Sequence, residues 1–393
     1  MKRINVNQGS RLKNENSCYP HVFNELKVGP ATLPNRILFP AWQLNYAETD
    51  GTVSEKLMKF FKDLADGGCG LIMTGCATVT SDGIPFNRVM HIEADKYIPS
   101  LKKLFSELKK RGAAAGIQII HYGRQSSTSV SGDVLMAPSA IPCPVMSKYD
   151  PQYKVREMTT GDIEHIRNAF IDAAERAAEA GVDVVEVHVA HGYLLNEFLS
   201  PYSNKRTDAY GGSVVNRARL IIEIITGIRE RLKNRIAICI RISGNEFVEG
   251  GLKPEDFKEI IPMFETAGID MLHVSAGVYE SMDRIVPLKT YGNMPHIDIA
   301  TRIKQFSSVP VCAVGSIMSQ GLEAAEAILA GGKADLCAVG RAQMADPMLV
   351  KKSFENRENE INRCLHCNNC TFWTTGDPEA YCTVNPVYKK PHL

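Results

Sequence analysis

Along this chain, short apolar runs alternate with longer stretches in which apolar residues recur every three or four positions. The short runs predict eight strands: Ile37–Pro40, Leu71–Thr74, Gly116–His121, Val182–His188, Ile236–Ile242, Met271–Ser275, Val311–Val314 and Leu336–Val339. The stretches between them predict helices. The clearest is Thr160–Ala180, with Ile163, Ile166, Phe170, Ala173, Ala174 and Ala177 on one face. Thr159 or Thr160 caps its start, and Gly181 stands where a left-handed C-cap belongs. Further helices fit Ser54–Asp66, Asp95–Arg111, Asn216–Leu232, Pro254–Ala267, Ile297–Phe306, Gly321–Ala330 and a segment after Asp346.

Eight strands, each followed by a helix, imply parallel strands buried on both faces. Eight such units close into a (β/α)8 TIM barrel more naturally than they form an open sheet. The alternative, a doubly wound dinucleotide fold, lacks a G-x-G-x-x-G run after the first strand. The expected division is a flexible arm over residues 1–20, a barrel over 21–358 and a Cys-rich extension over 359–393. One connection, Tyr122–Met158, has little periodicity and several Pro, Ser and Gly. A loop of that length inside a compact fold predicts a lid or binding loop.

Composition narrows the function classes. The 393 residues are 44% hydrophobic, enough for a large core, and 45 Lys+Arg against 44 Asp+Glu leave a net charge of +1. That balance argues against a nucleic-acid or membrane surface as the main partner, though not against a charged pocket. No stretch is long and apolar enough to span a bilayer. Met1 to Cys18 has no apolar run of the secretory kind, so a cytoplasmic location is expected. Of 11 cysteines, seven (Cys18, Cys69, Cys76, Cys143, Cys239, Cys312, Cys337) are scattered, several in apolar runs where Cys acts as a small core residue. Four crowd the C-terminus: Cys364, Cys367, Cys370 and Cys382. In a cytosolic chain such a group reads as metal or iron–sulfur ligation before disulfides.

A barrel builds its site at the C-terminal strand ends. There the chain places Pro40, Ala41 and Trp42, then Gly75-Cys76, Gln118 to His121, His188 to Tyr193, Arg241, Gly315-Ser316 and Gly340-Arg341. The run from His188 to Pro201, with His191, Tyr193 and Asn196, resembles the signature of the old yellow enzymes. So do the run from Ser203 to Ser213, with Arg206, Asp208 and Tyr210, and Asn216-Arg217. Asn35-Arg36, Gly116 with Gln118, Gly123-Arg124, and Gly340-Arg341 with Asp346-Pro347 match the same family. The resemblance spans His21 to Pro386. The spacing C-x2-C-x2-C-x11-C of the Cys tail, followed by Asn385-Pro386, resembles that family's iron–sulfur branch. 2,4-Dienoyl-CoA reductase, trimethylamine dehydrogenase and bile-acid-pathway reductases belong to it.

The resemblance implies an FMN enzyme that passes hydride to or from a small organic substrate. It implies an activated alkene: an enone, enoate or enoyl thioester, steroid-like rings included. It places a 4Fe–4S cluster on Cys364, Cys367, Cys370 and Cys382; four thiolates equally suit tetrahedral zinc. His188 and His191 are implied as N–H donors to a substrate carbonyl, the bland reading being structural histidines. Tyr193 is implied as the proton donor. Tyr279 falls where dienoyl-CoA reductases carry an acidic histidine, and it either helps protonate substrate or shapes the pocket. Gln118 and Arg241 are implied at the flavin pyrimidine, and Gly315, Ser316, Gly340 and Arg341 at its phosphate. Pro40 and Ala41 flank the flavin, and Cys76 lies near its edge or merely fills space. Trp42 occupies the position at which trimethylamine dehydrogenase carries its covalent-flavin cysteine. That departure counts against the two alternatives of an amine dehydrogenase and covalent FMN. Members of the branch continue into a half that binds FAD and a nicotinamide, whereas this sequence stops at Leu393. Electrons are therefore expected from NAD(P)H docking directly or from a reduced partner flavoprotein, in a homo-oligomer. A third alternative is an electron-transfer subunit with no substrate of its own.

Overall fold

The computed structural model describes residues 18–317 and 321–390. The arm expected over residues 1–20 falls, but for its last three residues, outside them. Eight parallel strands close into a barrel: β1 (Ile37–Phe39), β2 (Leu71–Thr78), β3 (Ala114–Ile120), β4 (Val184–Val189), β5 (Ala237–Ser243), β6 (Met271–Ser275), β7 (Val311–Val314) and β8 (Leu336–Ala338). Closure is made by short strands. β8 meets β1 through Cys337–Ile37 and Ala338–Leu38, and β1 meets β2 through Leu38–Leu71 and Phe39–Ile72.

Helices α1 (Glu55–Asp66), α2 (Ile98–Lys110), α3 (Thr160–Ala180), α4 (Val214–Leu232), α5 (Phe257–Ala267), α6 (Ile297–Lys304), α7 (Glu323–Ala330) and α8 (Leu349–Phe354) follow the strands in turn. Their ends obey local chemistry. Thr159 caps α3 in a reciprocal box with Asp162, and Gly181 ends it in the left-handed conformation at φ 93°. Ser54 and Ser213 cap α1 and α4 by accepting from Leu57 N and Asn216 N. The expected starts at Asp95 and Pro254 fold instead as single tighter turns, Asp95–Tyr97 and Pro254–Asp256, ahead of α2 and α5.

Two apolar layers result. The outer one packs the helices onto the strands, with Ile163, Ile166 and Phe170 of α3 fully buried in it. The inner one fills the barrel floor with Leu38, Leu71, Met73, Ala114, Val184, Ala237, Met271 and Leu336. A short hairpin, Leu26–Val28 with Ala31–Leu33, plugs the same floor through Val28, Ala31 and Leu33. Sequence periodicity missed it, because three residues are too few to show a period. The long loop also holds a small parallel pair, Leu135–Ala137 with Val155–Glu157. Among the described residues no helix is long and apolar enough to cross a membrane.

Phe170→Ala should cost about 3–5 kcal/mol, the usual loss for an aromatic removed from a closed core. Thr159→Ala should cost about 1 kcal/mol, the loss of one cap. Urea unfolding of both variants checks the order; equal losses would place Phe170 outside the core that holds α3.

Candidate functional site

The strand ends enclose a cavity of about 870 Å³, part of it open to solvent. Its walls are the residues that follow β1 (Pro40, Ala41, Trp42, Gln43), Cys76 and Gln118 on β2 and β3, and His188, His191 and Tyr193 on and after β4. Arg241 on β5, Gly315-Ser316 after β7 and Gly340-Arg341 after β8 complete it. Every candidate cofactor residue therefore lines one space. Tyr279 stands just behind, its hydroxyl 3.1 Å from that of Tyr193. Sequence reading missed two further walls: Ile285 to Pro287 after β6, and Trp373 from the C-terminal segment.

Cys76 was expected after the second strand. It lies within β2, which continues to Thr78 across a register shift between Thr74 and Ala77. Its thiol donates to Gln118 Oε1 at 3.3 Å, and burial pushes it up to about 11. Such a thiol is a space-filling donor rather than a nucleophile.

Two glycines seat Trp42. At Gly75 a Cβ has no room beside the Trp42 backbone, and at Gly340 it would meet the indole at 2.9 Å. Among the described residues the buried indole Nε1 has no partner, nor have Arg241 Nε and His188 Nδ1. Buried donors are almost always satisfied in a working state. Two unsatisfied donors and an unsatisfied imidazole nitrogen on residues of one cavity fit a flat polar group seated in it. After β7 the backbone turns through positive φ at Gly315 (123°) and Ser316 (51°). The Arg341 guanidinium donates to Ser316 Oγ and, at 3.0 Å, to Pro287 O. Positive-φ backbone with a buried arginine suits a phosphate.

His191 sits at φ 62°, uncommon for a side chain other than glycine. Three contacts hold it there. Its N–H donates to Ser243 Oγ at 2.8 Å, its carbonyl accepts from Gln125 Nε2 at 2.6 Å, and its ring Nε2 meets Ser275 Oγ at 2.7 Å. Gln125 also accepts from Tyr279 N at 3.3 Å, so one fully buried amide ties both candidate residues. The His188 ring lies 5.1 Å from those of His191 and Tyr193. Burial and then the Arg241 charge push both imidazoles well below their ordinary range, so both are neutral at pH 7. Burial pushes the Tyr193 and Tyr279 phenols above theirs, so both stay protonated.

Below this wall the barrel is polar. Glu186, fully buried on β4, accepts from Gln118 Nε2 at 2.6 Å and from His273 Nδ1 at 2.7 Å. Alternation along Val-Val-Glu186-Val-His188 would have set Glu186 on the face of His188; nothing local marks it as functional.

The four C-terminal cysteines line a second, small cavity, and Arg341 lines both. Cys364 Sγ accepts from His366 N at 3.4 Å, and all four thiols are free of disulfides. Burial is the main force raising Cys364, Cys370 and Cys382. Among the described residues no three His, Cys, Asp or Glu already stand as a ligand set for a metal ion.

Comparison with known proteins bears on the family and the fold. The chain is 39% identical over 373 residues to an NADH oxidase of Thermoanaerobacter brockii, covering 94% of this chain and 56% of that one. It is 30% identical to a cinnamate reductase of Clostridium sporogenes, covering 94% and 58%. A 2-naphthoyl-CoA reductase complex superposes with a TM-score of 0.87 at 30% identity, covering 94% and 57%. The chain thus spans about half the length of these two curated relatives. Residues 21–360 match the family model directly, and the chain accordingly belongs to the NADH:flavin oxidoreductase / NADH oxidase family, with the barrel of an FMN-dependent oxidoreductase.

Proposed function

We propose that this protein is an ene-reductase that saturates the activated C=C bond of an enone, enoate or enoyl thioester, steroid-like rings included. FMN, when bound, supplies the hydride. The observation that carries the reading is the meeting, at one cavity, of two neutral imidazoles and a protonated phenol. Each imidazole keeps one N–H to donate. His188 and His191 thereby hold the substrate carbonyl and stabilise the negative charge that grows on its oxygen. Tyr193 delivers a proton to the α-carbon, and Tyr279 orients the Tyr193 hydroxyl through their shared hydrogen bond. Gln118 and Arg241 hold the flavin pyrimidine, and Gly315, Ser316, Gly340 and Arg341 hold its phosphate. Pro40, Ala41 and Trp42 flank it, and the buried Cys76 thiol supports Gln118. The names of the relatives, a cinnamate reductase and a 2-naphthoyl-CoA reductase, support a reductase of conjugated acyl compounds.

Cys364, Cys367, Cys370 and Cys382 would hold a 4Fe–4S cluster as thiolates, next to the arginine that also lines the first cavity. The donor set is all sulfur, so zinc is the competing occupant. Electrons come from NAD(P)H or from a reduced flavoprotein partner, in a homo-oligomer.

Anaerobic, dithionite-reduced holoenzyme mixed with an enone, an enoate and an enoyl thioester tests the reaction. Reoxidation of the flavin by at least one is expected, and failure with all three overturns the reading. Tyr193→Phe should slow that reoxidation by about 100-fold or more while leaving the rate of flavin reduction unchanged. The imidazoles titrate below their usual range and the phenols above theirs. The rate of reoxidation should therefore show no histidine or tyrosine break between about pH 6.5 and pH 10. A break near 6.5 would mean that a charged imidazole takes part. Iron and sulfide analysis should find about four of each per chain, lost in Cys370→Ala; zinc without iron would replace the cluster with a structural ion.

A further inference from the structure

Among the buried groups that the proposed reaction leaves unused is Glu186. It lies in the barrel interior, two residues before His188 on the same strand. Its carboxylate accepts from three donors: Gln118 Nε2 at 2.6 Å, His273 Nδ1 at 2.7 Å and the Cys239 thiol at 3.4 Å. Those donors come from β3, β6 and β5, so one side chain joins four strands.

Arg241 is its electrostatic partner. In register it stands level with His188 on β4 and His273 on β6, two residues beyond the Cys239–Glu186 pair. Among the described residues its Nη1 reaches the Ala41 carbonyl at 3.3 Å, and its Nε has no partner. Burial alone would raise the Glu186 carboxyl. The hydrogen bond from His273 and the Arg241 cation outweigh burial and hold it low, so the group is ionised. His273 is itself pushed down by burial, which makes it a neutral N–H donor and leaves Arg241 as the fixed cation nearby. The cavity floor thus carries a cation facing the open space and a carboxylate one layer beneath it.

A carboxylate only accepts. The Gln118 nitrogen must therefore point at Glu186, and its oxygen is left toward the Cys76 thiol and the cavity wall. One negative charge fixes which end of the amide the cavity presents. It also offsets part of the Arg241 field. We infer that Glu186 is a positioning residue for the cofactor, which sets the Gln118 amide and lowers the reduction potential of the flavin that Arg241 and Gln118 hold. This rests on the flavin reading above. Reduction adds negative charge to a flavin, so a buried carboxylate in the layer below opposes it, and removal of that charge favours the reduced form.

The test is the midpoint potential of FMN bound to the full chain, measured by anaerobic dye equilibration. The variants are Glu186→Gln and Glu186→Met, the second apolar and of similar volume. Each should bind reduced flavin about tenfold more tightly, relative to oxidised flavin, than the wild type does. For a two-electron couple that is a positive shift of about 30 mV. Flavin content and far-ultraviolet dichroism should be unchanged. Glu186→Asp, which keeps the charge, should stay near the wild-type potential. A flavin-loaded wild type with variants of unmoved potential overturns this inference alone. Equal shifts in the Asp and Gln variants would trace the effect to packing and overturn it too, and loss of fold in both Gln and Met variants would make Glu186 a structural residue. A wild type that takes up no flavin removes the flavin reading itself, and this inference with it.

Discussion

Closure of the barrel rests on two three-residue strands, Ile37–Phe39 and Leu336–Ala338, and the site depends on it. Their pairing sets the segment after β1 beside the segment after β8, although some three hundred residues separate them. Trp42 therefore packs on Gly340, and the close fit leaves no space for a side chain at that glycine. A sheet left open between these strands would keep the same residues at its ends but spread them over two edges. Only the closed ring makes them one wall.

Within that ring the distribution of polarity has a simple logic. The floor is apolar, built from strand residues and the hairpin plug. The layer above it holds Glu186, Gln118 and His273, bonded to one another. Burying such groups costs several kcal/mol unless each has its partner. The cavity comes next, and there Trp42 Nε1, His188 Nδ1 and Arg241 Nε have no partner among the described residues.

The long signature stretch after β4 does two kinds of work. His188, His191 and Tyr193 reach the cavity. Most of the rest is scaffold. Asn196 accepts from Gly192 N and donates to the buried Glu246, which Ser200 and Leu252 also reach. Burial raises Glu246 to about 7. Asn204 donates to Phe198 O and Tyr210 O, and Arg206 binds the carbonyls of Pro138 and Met158 while pairing with Asp208. The two Arg206 bonds tie down the long Tyr122–Met158 connection. A run of residues specific to one family is thus mostly a description of how its loops are held, and the reacting groups are a minority within it.

The local periods, two residues for strands and about 3.6 for helices, were legible from the sequence. They set eight strand–helix units, most helix ends to within a few residues, and therefore the residues standing at each strand end. The spacing of the four C-terminal cysteines was equally local. What the sequence alone did not decide were the relations across space. These are the extension of β2 that takes Cys76 into the strand, the plug hairpin, and the Gln125 bridge from His191 to Tyr279. The same holds for the wall contributed by Trp373 and the carboxylate network of Glu186 with Gln118, Cys239 and His273. Each joins residues tens to hundreds of positions apart. Periodicity records which face of its own element a side chain takes; which other side chains share that face is set only when the ring closes and the strands fall into register.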